Sequence, residues 1–346
     1  MRRIVVVGGT GFFGSAVTDL LRSEGTKPIV AARRQPADLT LDVEDRSSIR
    51  AALRPGDVVV DSVGPFQGRT TTLVEAAIET GFDLVDLADS LDYVEQVYEL
   101  EANIAASGVR ILTACSSISA ASAALLQLSG VTKPVRATGF LVPAARHVAW
   151  PGTGGSLLGS VGRPIRTRRD GQLVSKPGWG ESRDLILPAP LGRVRGYLFE
   201  SADALTLSRV WPELRTVDFF VHSNVPGFDT VFRVAAHWSL FRKLVVRLAP
   251  VGLAAARRIG GTVGGLTYEI EDESGSKARL GLIGADRGYL TPAAPAVMAA
   301  RNIAEDRFQV RGLVRADQQV EPEKLIAYLR TLGVELVRMD GPVSSH

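Results

Sequence analysis

Ile4-Val5-Val6-Val7-Gly8-Gly9-Thr10-Gly11-Phe12-Phe13-Gly14 decides the reading of this chain. A β-branched run ends in glycines spaced G-x-x-G-x-x-G, and apolar residues at helical spacing follow through Ala16, Val17, Leu20 and Leu21. The pattern predicts strand, tight turn, helix. Gly8 lets the chain turn at the strand end, Gly11 leaves room for a phosphate beside the backbone, and Gly14 lets the helix pack close to the strand. A helix N-terminus built this way offers free N–H groups and a positive dipole end to an anion. Gly8, Thr10, Gly11, Phe12, Phe13 and Gly14 are therefore the candidate residues for a dinucleotide pyrophosphate. The alternative is a glycine-rich turn of some other α/β protein, and the placement after a strand and before a helix favours the dinucleotide.

The rest of the first half repeats the strand–helix rhythm. Pro28 to Ala32 reads as a second strand and ends in Arg33-Arg34. In a mononucleotide-binding unit this position faces the adenosine ribose, where an acid suits the 2′-hydroxyl of NAD and an arginine the 2′-phosphate of NADP. No Asp or Glu lies between Glu24 and Asp38. NADP(H) is the expected cofactor, with Arg33 the first choice for the 2′-phosphate and Arg34 the second; solvated surface arginines are the alternative. A short strand over 39–43 brings Asp42 to where an adenine amino group is met. Asp57 to Asp61 reads as a buried fourth strand running into Val63-Gly64-Pro65-Phe66, a candidate floor for the nicotinamide. Strands over 82–87 and 109–113 deliver Asp89 and Cys115-Ser116 to the same edge. Asp89 and Cys115 are candidate catalytic residues and Ser116 a candidate substrate contact. A cap on the following helix is the competing role for Asp89.

The order Gly-Gly-Thr-Gly-Phe-Phe-Gly, Ala-Ala-Arg33-Arg34, Val63-Gly64-Pro65-Phe66-Gln67, Val85-Asp86-Leu87-Ala88-Asp89 resembles the saccharopine dehydrogenase/reductase-like family of NAD(P)-dependent oxidoreductases. The resemblance covers residues 1–125 and is looser over 131–346. Members of that family often carry a Gly-x-x-Pro-Gly-like turn after the sixth strand, and this chain has Cys115-Ser116-Ser117-Ile118-Ser119 there. Extended short-chain dehydrogenases share the glycine opening, but they need a Tyr four residues before a Lys on one helix. None of the six tyrosines has that partner.

The 346 residues suit two domains, and 45% hydrophobic with 22% charged residues is a globular composition. Residues 1–130 carry 11 Lys/Arg against 17 Asp/Glu, and residues 131–346 carry 29 against 20. One cysteine and four histidines leave no zinc-ligand cluster. A start that runs straight into a strand, with no signal-like segment, gives the expectation of an intracellular, cytoplasmic protein. No nucleic-acid module surrounds the basic residues.

The second half reads as several short strands, with a hairpin about Ser274-Gly275, and predicts a mostly antiparallel sheet. Pro151 to Ser156 reads as a glycine-rich loop, with Gly154 and Ser156 candidate substrate-anion contacts. Residues 231–260 hold six Lys/Arg and no acid among many apolar side chains. That stretch reads first as a core or subunit-interface helix, with an acyl-pocket lining or a peripheral membrane contact as alternatives.

The expected architecture is α/β: a Rossmann domain with a doubly wound parallel sheet over 1–130, a substrate and homodimerisation α+β domain over 131–288, and helices over 289–346 returning to the first. The expected function is hydride transfer between NADPH and a C=N or C=O bond of an anionic, amino-acid-like small molecule. The alternatives are an enoyl (C=C) reductase of an acyl or lipid-linked substrate and a non-catalytic NADP-binding sensor or scaffold.

Overall fold

The computed structural model describes residues 1–339. The described residues divide into two compact units, 1–121 with 290–325, and 122–289 with 326–339.

The first unit is built on β1 (Ile4–Val7), β2 (Ile29–Ala32), β3 (Leu39–Thr40), β4 (Val58–Asp61), β5 (Asp83–Asp86) and β6 (Arg110–Leu112). Every strand contact is parallel, in the order β6-β5-β4-β1-β2-β3, and the two-residue strand Gly312–Leu313 adds outside β6. Every residue of β1, β4, β5 and β6 is buried, as a sheet covered on both faces requires. The strand order reverses between β1 and β4, which creates a crevice at their carboxyl ends. The third strand is shorter than the sequence suggests, because the chain leaves the sheet after Thr40 and Asp45 then caps the helix Arg46–Ala52 by accepting from the Ser47 N–H. Tyr93 to Ala106 reads in sequence as one amphipathic helix; the structure has two, Leu91–Glu99 and Glu101–Ser107, which meet at Leu100.

The second unit carries a mixed sheet. Thr216–Val221 pairs in parallel with Pro134–Val142, and the remaining pairings are antiparallel. The predicted hairpin is present: Gly264–Asp272 pairs with Lys277–Gly284, and Asp272 Oδ1 accepts from the Ser274 and Ser276 N–H groups at the turn.

Two expectations are corrected. The end of the chain does not all return to the first unit. Val334–Arg338 is an edge strand pairing with Lys277–Gly284, with Val334 buried, and so belongs to the second sheet. The stretch from Gly341, which reads in sequence as a loose tail, lies outside the described residues. Residues 231–260 are three short helices rather than one: Phe228–His237, Ser239–Arg247 and Ala249–Ile259. Pro250 sits in the first turn of the third, where its missing N–H costs no helical bond. The middle helix has no fully buried residue and touches the core only through the partly buried Phe241 and Val245.

Candidate functional site

Gly8 leaves β1 with φ +77°, a conformation that L side chains rarely adopt, and its N–H donates to the Ala31 carbonyl. Gly11 N–H folds back onto the Gly8 carbonyl at 2.8 Å. The helix α1 (Phe12–Ser23) then begins at Gly11 with no side chain capping its first turn. First-turn amides of a helix have no intrahelical acceptor, so this end is open to an anionic ligand.

A cleft of about 510 Å³ opens at this edge of the sheet. Gly8, Thr10 and Gly11 form one wall, Arg33, Arg34 and Asp42 a second, and Val63, Gly64 and Pro65 a third. The structure thus brings together nine of the residues singled out for a cofactor. Arg33 and Arg34 are exposed, and neither forms an ion pair among the described residues. Asp42 accepts from the Glu44 N–H through Oδ1, at 3.1 Å.

Four expected cofactor residues are not among those that line the cleft. Phe12 and Phe13 are half-buried and pack edge-to-face on one another, with ring centroids 5.1 Å apart. Gly14 is buried beneath the turn. Phe66 is buried against Tyr93, at 5.2 Å between centroids, and anchors the Gly64-Pro65 turn rather than forming its surface.

The loop that carries Val63 to Pro65 is held by two residues the sequence reading passed over. Asp61, at the end of β4 and fully buried, accepts from the Val63 N–H at 2.9 Å and from Arg69 Nη2 at 3.0 Å. Arg69 also lines the cleft, donates through Nη1 to the Val63 carbonyl at 2.7 Å, and pairs with Glu44 at 2.8 Å. Its guanidinium lies over the Phe66 and Tyr93 rings. Burial works against the charge on Arg69, and the Asp61 carboxylate outweighs it, so Arg69 stays protonated. Burial pushes the Asp61 carboxyl up from its ordinary range, while Arg69 and the Val63 N–H pull it back. The sequence signal was an Asp closing a buried strand with an Arg eight residues on. Spacing alone does not distinguish that pair from surface charges.

The catalytic and substrate expectations fare differently. Cys115 is fully buried; burial, with Asp86 behind it, pushes its thiol well above the usual range. A buried thiol without a thiolate form is neither nucleophile nor ready proton donor. Ser116 is also buried and spends its hydroxyl on Ile118, donating to the carbonyl and accepting from the N–H, both at 3.3 Å. Asp89 is half-buried, accepts from Gln67 Nε2 at 3.4 Å and lies outside the cleft lining. The cap of the next helix is Ser90, not Asp89. Pro151 to Ser156 is not a loop but the first part of a helix, Pro151–Ser160. Gly154 is buried there, and a Cβ on it would stand 2.6 Å from a methyl of Leu253, so this glycine serves helix packing. Its N–H donates to the Trp150 carbonyl, and no glycine-rich anion loop forms. Ser156 lies within the same helix.

Buried deeper at the strand ends is Asp86. Its Oδ1 accepts from the N–H groups of Ala114 and Ala88 and from Thr113 Oγ1. Its Oδ2 is buried with no hydrogen-bond partner among the described residues. Burial pushes this carboxyl up to about 7, with Asp61 adding to the shift and the N–H donors opposing it. The three described histidines do not join the cleft: His222 pairs with Asp229, His237 Nδ1 meets the Arg233 carbonyl, and His147 stacks on Tyr289.

The family model for the saccharopine dehydrogenase NADP binding domain matches residues 4–112. A protein named trans-acting enoyl reductase from Mycobacterium leprae (strain TN) is 30% identical over 131 residues, 32% of this chain and 31% of that protein. A protein named lipid droplet localized protein from Caenorhabditis elegans is 26% identical over 137 residues, 32% of each. The matched stretch is thus about a third of the length of either relative. Among solved structures, apo saccharopine dehydrogenase (L-Glu forming) from Saccharomyces cerevisiae aligns with a TM-score of 0.67 at 14% identity, over 98% of this chain and 100% of that one. At that identity the likeness is one of fold. Residues 4–112 belong to the saccharopine dehydrogenase NADP-binding domain family, and the chain has the fold of saccharopine dehydrogenase.

Proposed function

We propose that the chain is an NADPH-dependent oxidoreductase that reduces a C=N or C=O bond of an anionic, amino-acid-like small molecule. The observation that carries the cofactor half is the pair Arg33 and Arg34, exposed in the cleft at the end of β2 without an acidic partner among the described residues. The residues fit the group: the turn at Gly8 and the uncapped start of α1 suit a pyrophosphate, and a free guanidinium suits the 2′-phosphate. When bound, NADPH supplies the hydride.

The chain's own residues then bind and orient. First-turn amides of α1 hold the pyrophosphate. Arg33 holds the 2′-phosphate, and Arg34 supports it. Val63, Gly64 and Pro65 border the nicotinamide, fixed from behind by Asp61 and Arg69. Asp89, at the carboxyl end of β5 and joined to Gln67 on the loop after Pro65, is the proposed proton donor. The excess of Lys/Arg over Asp/Glu in residues 131–346 favours an anionic substrate.

A second reading is an enoyl reductase acting on an acyl or lipid-linked substrate. The names of the two curated relatives favour it. NADPH oxidation with 2-oxo acid and amine pairs, with simple carbonyls and with enoyl thioesters separates the two. Turnover of the first group alone supports the C=N/C=O reading; turnover of enoyl thioesters alone assigns the second. NADPH binding with no turnover of any of them leaves a sensor and contradicts both.

A further inference from the structure

Nine of the thirteen large apolar side chains that the described residues leave exposed fall in the three helices 228–259 or at their junctions. Trp238 is 68% exposed, Leu240 79% and Val251 68%. Single exposed apolar residues are ordinary, but a cluster of this kind marks an interaction surface.

The middle helix shows how the surface is made. Phe241 and Val245, one turn apart, pack on the buried cluster around Trp179 and Phe232 and fasten the helix to its unit. The opposite face carries Leu240, Lys243, Leu244 and Arg247, all exposed and spaced three or four residues apart. Cations and leucines therefore share one face. Arg233 and Arg258 are exposed on the flanking helices, and none of these four cations forms an ion pair among the described residues. Arg242 and Arg257 are committed inside, donating to the carbonyls of Gly162 and Ala149. From Thr230 to Tyr268 the chain has no acidic residue at all.

We propose that helices 228–259 are a docking surface for an anionic lipid bilayer. Leucine and tryptophan side chains enter the acyl boundary, while lysine and arginine stems reach back to the phosphates at the same depth. The charge pattern selects this occupant. A second copy meeting this face about a two-fold axis would set Lys243 and Arg247 against their own counterparts, with no acid from Thr230 to Tyr268 to neutralise them and Asp229 already paired with His222. A lipid phosphate layer supplies the missing negative charge, at about 1 kcal/mol for each Lys or Arg near the surface, a factor of about five in binding. This proposal is independent of the reading of the cofactor cleft.

The test uses the full chain and vesicles of equal parts phosphatidylcholine and phosphatidylglycerol, against vesicles of phosphatidylcholine alone, read by flotation. Wild type is expected to float with the anionic vesicles only. Tryptophan emission should shift to the blue on binding, and Trp238→Phe should remove the shift. Leu240→Ser with Leu244→Ser, and separately Lys243→Glu with Arg247→Glu, should each lower binding about tenfold or more. These side chains are exposed, so both variants should keep the wild-type circular dichroism and melting temperature. The proposal is overturned if folded wild type stays in solution with anionic vesicles, or if neither pair of changes weakens flotation. It is also overturned if sedimentation velocity shows a dimer that the leucine changes dissociate, or if polyglutamate competes fully and the leucine changes have no effect, which would assign the face to a second copy or to an acidic protein.

Discussion

A Cβ built on Gly14 would stand 2.1 Å from the carbonyl oxygen of Gly8. The obstacle is backbone, so no side-chain rotation relieves it. Gly14→Ala must push α1 away from the end of β1, at a cost of about 3 kcal/mol, the upper part of the range for forced repacking. NADPH affinity should fall at least about tenfold, because the turn that faces the pyrophosphate opens. Gly11 is the contrast: its Cβ would meet only the Gly8 carbonyl oxygen, at 3.1 Å. Gly11→Ala should fold with little loss and bind NADPH weakly. Equal melting temperatures for wild type and Gly14→Ala would contradict this account of the turn.

Arg69→Met leaves Asp61 buried without its cation. Breaking such a pair costs about 3–5 kcal/mol. The double change Asp61→Asn, Arg69→Met should be less destabilised than Arg69→Met alone, and chemical denaturation of the four proteins measures the coupling. Both changes should also loosen the Val63–Pro65 turn, so kcat should fall even where the protein remains folded. Simple additivity of the two changes would show that the pair does not act as one unit.

Asp86 gives the pH dependence a sign. Its native pKa is raised to about 7, so between the ordinary carboxylate range and that value the folded state holds a proton the unfolded state has released. Stability from this group is therefore greatest at low pH and declines as pH rises toward about 7. Asp86→Asn removes the titration. Relative to the variant, wild type should lose on the order of 3 kcal/mol between about pH 4 and about pH 8. A difference that stays flat with pH would contradict the burial argument.

Cys115→Ala should leave kcat unchanged and cost about 1 kcal/mol of stability, since a buried cysteine acts as a small hydrophobe. The native thiol should resist alkylation until the protein unfolds. Asp89→Asn, in contrast, should lower kcat with NADPH affinity preserved. If Cys115→Ala abolishes turnover in a folded protein, the strand-end chemistry has been misassigned.

The first unit was legible because its signals are local. A glycine spacing, β-branched runs and Arg33-Arg34 at a strand end each follow from a few adjacent residues. What needed the structure was long-range. Arg69 reaches Glu44 and Asp61 from a loop, and Val334–Arg338 joins a strand more than fifty residues earlier. Gly154 illustrates the limit well. In sequence it looks like part of an anion loop, and only Leu253 on another helix shows that its missing side chain serves close packing. Burial was equally hidden: Cys115 and Ser116 do stand just past the end of β6, but both are buried beneath the surface.

The central claim is that the cleft selects NADPH through Arg33. Fluorescence titration of wild type and Arg33→Ala with NADPH and with NADH tests it most directly. Wild type should prefer NADPH, and Arg33→Ala should lose about ten- to a hundredfold in NADPH affinity, the worth of one charge-assisted contact, with NADH binding unchanged. Equal wild-type affinity for the two cofactors, or an Arg33→Ala protein that keeps the preference, would contradict it.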